Sequence, residues 1–363
     1  MEARDVELGG GPDAMPQELS PRHLRRRLLE IAIFGVFVVV VVGALPGLGD
    51  VRKLLQHADG GWIALAAILE LASCLAYVVT FRDVFCPQMR WSFSYNLALA
   101  EQATNVLIPT GGAGGLALGA WALRQGGMNT EYIGRRSVAF FILTSIPNFA
   151  CAALGGTLLA LHVLPGHAPL VPTIVLSALA GATMILVAAL PRLIGWMRFG
   201  EEGEGRSLKR LLRGAMETLA KGVGDTKSLV RTRRPGALGG SIGYMGFDVA
   251  ALAAAFAAFG SVPPFGSLIF AYVIGQLGGL IPLPGGIGGT DGGLIGALVL
   301  YGSPLPEAAA AVLAYRAFQL GIPAVLGAIA FTRLRRELAQ ANAPAAICAP
   351  LAEPLPAVVL ERG

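Results

Sequence analysis

The stretch Leu280-Ile281-Pro282-Leu283-Pro284-Gly285-Gly286-Ile287-Gly288-Gly289 decides how this chain folds. Apolar sequence continues on both sides of it, over 267 to 302, which exceeds the ~20 residues a helix needs to cross a bilayer core of ~30 Å. A continuous helix cannot pass through this point, because proline removes a backbone donor and clashes with the preceding turn, and glycine weakens the helix further. Two short helices joined by a break are expected. A second region, 92 to 126, reads the same way: Leu107-Ile108-Pro109 is followed by Gly111-Gly112-Ala113-Gly114-Gly115. Each break also starts a ladder of glycines four apart, Gly111, Gly115, Gly119 in one and Gly285, Gly289, Gly293 in the other.

Around the two broken regions lie six unbroken apolar segments long enough to span: about 29 to 49, 61 to 81, 137 to 160, 170 to 191, 237 to 259 and 307 to 331. The whole composition agrees. Of 363 residues, 54% are hydrophobic and 14% charged, and the mean hydropathy is +0.63, against about 25% charged in ordinary soluble domains. Three short stretches, 1 to 27, 192 to 234 and 332 to 363, hold most of the charge. Disorder, a disulfide scaffold and a large extramembrane catalytic domain are therefore excluded, the last because no polar stretch reaches the usual size of a domain.

Basic residues set the orientation, since the cytoplasmic side holds their excess. The stretch 1 to 28 carries five lysines and arginines and 192 to 234 carries eleven, whereas 161 to 169 and 260 to 266 carry none. The N-terminus, the long basic loop and the tail starting with Arg333, Arg335 and Arg336 then fall inside, provided each broken region leaves on the face it entered. The bases Arg82, Arg90, Arg124, Arg135 and Arg136 around the first broken region make it dip from the cytoplasm, and the second dips from outside. The order is span, span, broken hairpin, span, repeated once upside down. The expected fold is an all-α integral membrane protein with about six full spans and two re-entrant helical hairpins, about eight membrane-embedded units in an inverted repeat. Its expected layout is an N-terminal tail, 1 to 28; a transmembrane domain, 29 to 331, with repeats of about 29 to 160 and 170 to 331 and a basic loop at 192 to 235; and a C-terminal tail, 332 to 363. Such repeats with broken helices place substrate sites near the midplane in many secondary transporters, although glycines at this spacing also simply let helices approach closely.

A carboxylate at the bilayer centre costs ~2.5 to 3.5 kcal/mol on insertion scales, so each needs a reason. Glu70 and Asp248 lie near the middles of the second and fifth spans and are counterparts in the repeat scheme. Glu101, Gln102 and Asn105 precede the first break, Gln276 precedes the second, and Asp291 follows it. Arg316 lies about ten residues into the last span. A guanidinium there must face a partner or a wet cavity: either an ion pair with Asp248, Asp291 or Glu70 that fixes packing, or a clamp on a lipid phosphate, helped by backbone N–H groups where the broken helices restart, at Gly111 and Gly112 and in the second glycine run. The acids outnumber Arg316, so a shared cavity favours cations: a proton, sodium or an amine-bearing headgroup. Glu70, Asp248 and Glu101 are the candidates for ion coupling. Glu307 reads as an interfacial residue at a helix start.

Enzyme signatures are mostly missing. The chain has no G-x-x-x-x-G-K-[ST] phosphate loop and no H-E-x-x-H, and His162 and His167 share a short loop that suits solvent better than zinc. No cofactor or metal is expected. Cys74, Cys86, Cys151 and Cys348 form no C-x-x-C pair and read as packing residues rather than as a disulfide or metal site. The net charge of +5 comes from bases flanking apolar spans, which argues against a nucleic-acid partner. Lys209-Arg210-Leu211-Leu212-Arg213 predicts an amphipathic helix on anionic lipid. The apolar run after Arg25-Arg26-Arg27 predicts an anchor rather than a removed signal.

Pro284-Gly285-Gly286-Ile287-Gly288, then Asp291, then Ala314-Tyr315-Arg316, resembles the signature of the lysylphosphatidylglycerol synthase transmembrane-region family, and Asn105, Pro109 and the glycines after it resemble that family's N-terminal motif. The resemblance implies a flippase-like fold, as in the membrane half of multiple peptide resistance factors, which moves aminoacylated phosphatidylglycerol between leaflets. It brings Gly285, Gly286, Gly288 and Tyr315 into the candidate site beside Arg316, Asp291, Gln276, Asn105, Gln102, Gly111 and Gly112. Two departures stand out. Asp291 replaces the usual glutamate, and the arginine often found just after the first glycine motif is absent, with Leu118, Gly119 and Ala120 there and Arg124 nearest. The soluble aminoacyl-transferase domain of full synthases is not expected here.

The expected function is movement of a phospholipid, amine-bearing in one version, between leaflets of the cytoplasmic membrane. The alternative is a membrane enzyme or accessory subunit acting on polyprenyl-linked sugars or lipid headgroups. Expected partners are membrane phospholipid, anionic lipid at the basic loop, and either a second copy of the chain or a separate lipid-modifying enzyme.

Overall fold

The computed structural model describes residues 49–108, 113–166, 169–196, 207–279, 286–340 and 348. Among these residues the secondary structure is helical, with no strand. The helices are α1 (Gly49–Gln56), α2 (Gly60–Phe85), α3 (Trp91–Leu107), α4 (Ala113–Gln125), α5 (Thr130–Ala150, continued through a π-turn at Cys151–Gly155 into Gly156–Ala160), α6 (Leu170–Trp196), α7 (Ser207–Arg231), α8 (Pro235–Ala257), α9 (Phe265–Gly278), α10 (Gly289–Leu300) and α11 (Leu305–Gln340). Among the described residues, α2, α5 with its continuation, α6, α8 and α11 are each long and apolar enough to cross a membrane. They match five of the six expected spans. The sixth, 29 to 49, lies outside the described residues apart from Gly49, as do Pro109 to Gly112, Leu280 to Gly285 and His167.

Helix ends follow from local chemistry. Asp59 caps α2, its carboxylate accepting from Gly61 N at 2.7 Å, and Asn129 caps α5, accepting from Glu131 N at 2.7 Å. Pro235 opens α8, where Asp83 of α2 accepts from Ala237 N at 2.7 Å and pairs with Arg234. The 36-residue α11 runs nine residues past the expected end of its span at 331, because arginine, glutamate, leucine and alanine are good helix formers and no proline intervenes.

The central pair is α2 and α8, which lie antiparallel over their whole length. Asp83 at the end of α2 caps the start of α8, while Asp59 N at the start of α2 donates to Ala258 O at the end of α8, 2.9 Å. Gly236, Gly240 and Gly243 form the stripe of α8 that meets α2. A Cβ on Gly240 would strike Thr80 and lie 2.8 Å from the Ala76 carbonyl oxygen, so the helices touch backbone to backbone, as small residues at this spacing allow.

Two hairpins flank this pair. α3 packs on α4, and the start of α3 and end of α4 adjoin the arginine-bearing ends of α2 and α5. α9 packs on α10, and their outer ends meet the opposite ends of the long helices: Tyr301 after α10 bonds to Thr173 of α6 at 2.7 Å. α11 lies along α3, and α9 along the π-turn and last part of α5. The buried apolar residues form two clusters. One gathers α2 to α5 with the end of α11, around Phe81, Phe85, Leu97 and Phe140; the other gathers α8 to α10 with the start of α11, around Phe256, Phe270 and Tyr301. α6 carries few buried residues and exposes Ile185 and Leu186, as a lipid-facing helix does.

The basic loop does contain a helix, α7, whose side chains are described from Arg213 onward. It packs across α5 and α6 rather than standing free: Asp225 lies 3.5 Å from both Arg135 and Arg136, and Lys227 donates to Ala188 O at 2.7 Å. Lys221 pairs with Glu131, whose carboxylate holds the ammonium above the ordinary lysine range.

The reading of all four cysteines as packing residues is corrected. Cys74 and Cys151 are free thiols, but Cys86 and Cys348 form a disulfide, with Cα atoms 6.2 Å apart. No local sign of it exists in the sequence, because the two are separated by 262 residues.

Candidate functional site

A cavity of about 210 Å³ lies among α2, α3, α8, α9, α10 and α11. α2 lends it Glu70 and Tyr77, α3 lends Gln102 and Asn105, and α8 lends Tyr244 and Asp248. Gln276 of α9, Thr290 of α10 and Arg316 and Gln319 of α11 complete the polar wall, with Gly279 and Gly286 at the second break. Pro323 and Leu320 supply apolar lining. Glu70, Gln102, Asn105, Asp248, Gln276, Gly286 and Arg316, scattered over 247 residues of sequence, are brought to one cavity.

Its second-half wall is a continuous chain of hydrogen bonds. Arg316 Nε donates to Asp291 Oδ1 at 2.6 Å, and Arg316 Nη1 to Gln319 Oε1 at 2.5 Å. Gln319 Nε2 donates in turn to Asp248 Oδ2 at 3.1 Å. Two phenols converge on the same carboxylate, Tyr272 on Oδ2 at 2.5 Å and Tyr315 on Oδ1 at 2.7 Å. Asp291 sits at the third position of α10, where its Oδ2 accepts from Gly288 N at 2.8 Å, an arrangement that satisfies an orphan helix-start donor and suits the positive end of the helix dipole. Gly288 has φ +87° and Gly286 φ +66°, left-handed conformations that glycine adopts without penalty. The ion pair expected for Arg316 is thus with Asp291, and a phosphate would have to exchange with that carboxylate.

Other residues of the candidate set do different work. Tyr315 is fully buried behind the wall and positions Asp248. Glu101 lies off the cavity: it accepts from Tyr77 Oη at 3.3 Å and its carboxylate fills the space where a Cβ on Gly119 would stand. Asn105 likewise covers Gly115, whose N–H it accepts at 2.8 Å. The first glycine ladder therefore admits polar side chains from α3, while in the second Gly278 and Gly289 bring α9 and α10 into backbone contact. Gly111, Gly112 and Gly285 lie outside the described residues. Among the described residues no group of three or more histidines, cysteines or acids could hold a metal ion.

Comparison with known sequences adds a decisive match: the family described as Lysylphosphatidylglycerol synthase TM region covers residues 28–327. The chain belongs to that family. It is also similar to a UPF0104 membrane protein of Methanothermobacter thermautotrophicus, 25% identical over 327 residues, covering 84% of this chain and 93% of that protein. Membership and the apolar helices make it a multi-pass membrane protein.

Several wall residues of this family member escaped the sequence reading: Tyr77, Tyr244, Tyr272, Thr290 and Gln319. For three of them the signal was helical spacing. Tyr244 precedes Asp248 by four, Tyr272 precedes Gln276 by four and Gln319 follows Arg316 by three, which puts each on the face of a residue already singled out.

Proposed function

We propose that this chain is a lipid translocator of the cytoplasmic membrane, which passes a phospholipid headgroup through the cavity between its halves while the acyl tails stay in hydrocarbon. The observation that carries the reading is the polar cavity itself, walled by Gln102, Asn105, Gln276, Asp248 and Arg316 at a depth where unpaired polar groups are costly. Arg316, beside the start of α10, suits the phosphate, and Glu70 with Asp248 suits an amine. The tails, which make most of the lipid, need no desolvation, so the headgroup is the barrier a wet cavity lowers.

The inverted repeat belongs to the same proposal. Antiparallel α2 and α8, the α3–α4 and α9–α10 hairpins at opposite ends, and the matched packing of α11 on α3 and α9 on α5 support it. Repeats of about 29 to 160 and 170 to 331 would rock against each other and open the cavity to one leaflet at a time. With Arg82, Arg90, Arg234 and α7 at one end of the bundle, the positive-inside rule puts that end and both termini in the cytoplasm and lays α7 against anionic lipid.

Purified protein in liposomes tests this, with fluorescently labelled phosphatidylglycerol as the probe and an impermeant quencher reporting leaflet exchange. Exchange is expected to exceed that of empty liposomes and to be lost in Arg316→Ala that still inserts in the membrane. A covalent change in the probe's mass without exchange would instead favour the enzyme reading.

A further inference from the structure

Glu70 and Asp248 come from the two central antiparallel helices and meet in hydrogen-bonding contact on the cavity wall. Their surroundings are unequal. Asp248 accepts from two phenols and an amide, whereas Glu70 is 3% exposed and its Oε2 has no hydrogen-bond partner. On the facing helix α3, Gln102 is 8% exposed and its Nε2 is also unpartnered. Both atoms belong to residues lining the cavity. Buried polar groups are ordinarily satisfied, so two orphans, one acceptor and one donor, mark a place where something binds.

We propose that the Glu70–Asp248 pair is the coupling site of the translocator, binding and releasing one proton in step with headgroup movement. The proposal rests on the translocator reading above and names its coupling ion. Two carboxyl groups in hydrogen-bonding contact need one hydrogen between them, and its loss sets like charges side by side, so the pair titrates as a unit. A metal cation fits poorly, because it needs several oxygens and those of Asp248 are already engaged by Tyr272, Tyr315 and Gln319. The groups facing the pair are Cys74 of α2, Tyr244 of α8, Tyr272 of α9, and Tyr315 and Arg316 of α11. Glu101 of α3 is held at a remove by Tyr77. Of these only Arg316 carries a fixed charge. Gln319 bridges Asp248 to Arg316, and Arg316 holds Asp291 at the start of α10. A charge change at the pair therefore reaches the broken α9–α10 hairpin through two side chains, Gln319 and Arg316, and directly through Tyr272 of α9.

The test uses the full chain in liposomes with labelled phosphatidylglycerol as probe and a pH-sensitive dye in the lumen. An imposed pH gradient is expected to change the exchange rate several-fold and probe movement to shift lumenal pH, while a sodium gradient at equal pH does neither; Glu70→Gln loses both responses. Exchange indifferent to the pH gradient, or Glu70→Gln responding as the parent does, overturns the proton site and leaves the translocator standing. No exchange under any gradient overturns the translocator and the coupling with it. Infrared difference spectra of the detergent-solubilised protein give a readout that needs no lipid movement: a protonated-carboxyl band that titrates in the parent and is absent in Glu70→Gln is expected, and its absence from the parent overturns the proposal.

Discussion

Tyr315 and Arg316, neighbours on α11, divide the two acids of the second half between them: the Tyr315 hydroxyl donates to Asp248 at 2.7 Å, and the Arg316 guanidinium to Asp291 at 2.6 Å. One residue thus anchors α11 to the central helix α8, and the next anchors it to the short helix α10.

This division ranks two conservative substitutions. Tyr315→Phe strips Asp248 Oδ1 of its phenol donor, at a cost of about 1 to 3 kcal/mol for a buried group left short. Tyr272→Phe should cost less, since Oδ2 keeps the Gln319 amide. Thermal unfolding in detergent should show the larger drop for Tyr315→Phe, and the reverse order would contradict the assigned hydrogen bonds.

Glycine substitutions should separate contact from spacing. A Cβ on Gly240 meets the Ala76 carbonyl and one on Gly327 meets that of Leu99, both backbone, whereas nothing lies within 4 Å of Gly246 or Gly296. Gly240→Ala and Gly327→Ala should destabilise by about 1 to 3 kcal/mol, the usual cost of overpacking. Gly246→Ala and Gly296→Ala should unfold at or slightly above the parent's temperature, since alanine is the better helix former. Equal effects at all four sites in the same assay would refute the close approach of α8 to α2 and of α11 to α3.

The Cys86–Cys348 bond predicts that non-reducing proteolysis yields a peptide joining the α2–α3 turn to the C-terminal tail, which reduction separates. Mass spectrometry of the digest checks this. Recovery of both cysteines as free thiols after rapid trapping would contradict the bond.

Much of this was legible in the sequence, because a membrane reduces the choices to helices and their interruptions. The apolar runs located α2, α5, α6, α8 and α11, and the Pro-Gly runs located both breaks. Rarity of charge in apolar sequence found Glu70, Asp248, Asp291 and Arg316. What stayed hidden depends on three-dimensional pairing. Glu101 looked equivalent to Gln102, but one residue along a helix turns the side chain by about 100°, which sends Glu101 toward Tyr77 and Gly119 and Gln102 into the cavity. Tyrosines are ordinary in apolar helices, so the four-residue spacing of Tyr244 from Asp248 and of Tyr272 from Gln276 went unread, and Tyr77 meets Glu101 only in the folded chain.

The most direct test of the central claim is labelling of Gln276→Cys, in a background where Cys74 and Cys151 are replaced by alanine, with a membrane-impermeant thiol reagent in liposomes. A cavity that admits headgroups predicts that the thiol at 276 reacts and that phosphatidylglycerol in the bilayer slows the reaction several-fold compared with phosphatidylcholine alone. A thiol unreactive from both sides, or one whose rate ignores the lipid, would contradict a headgroup path between the two halves.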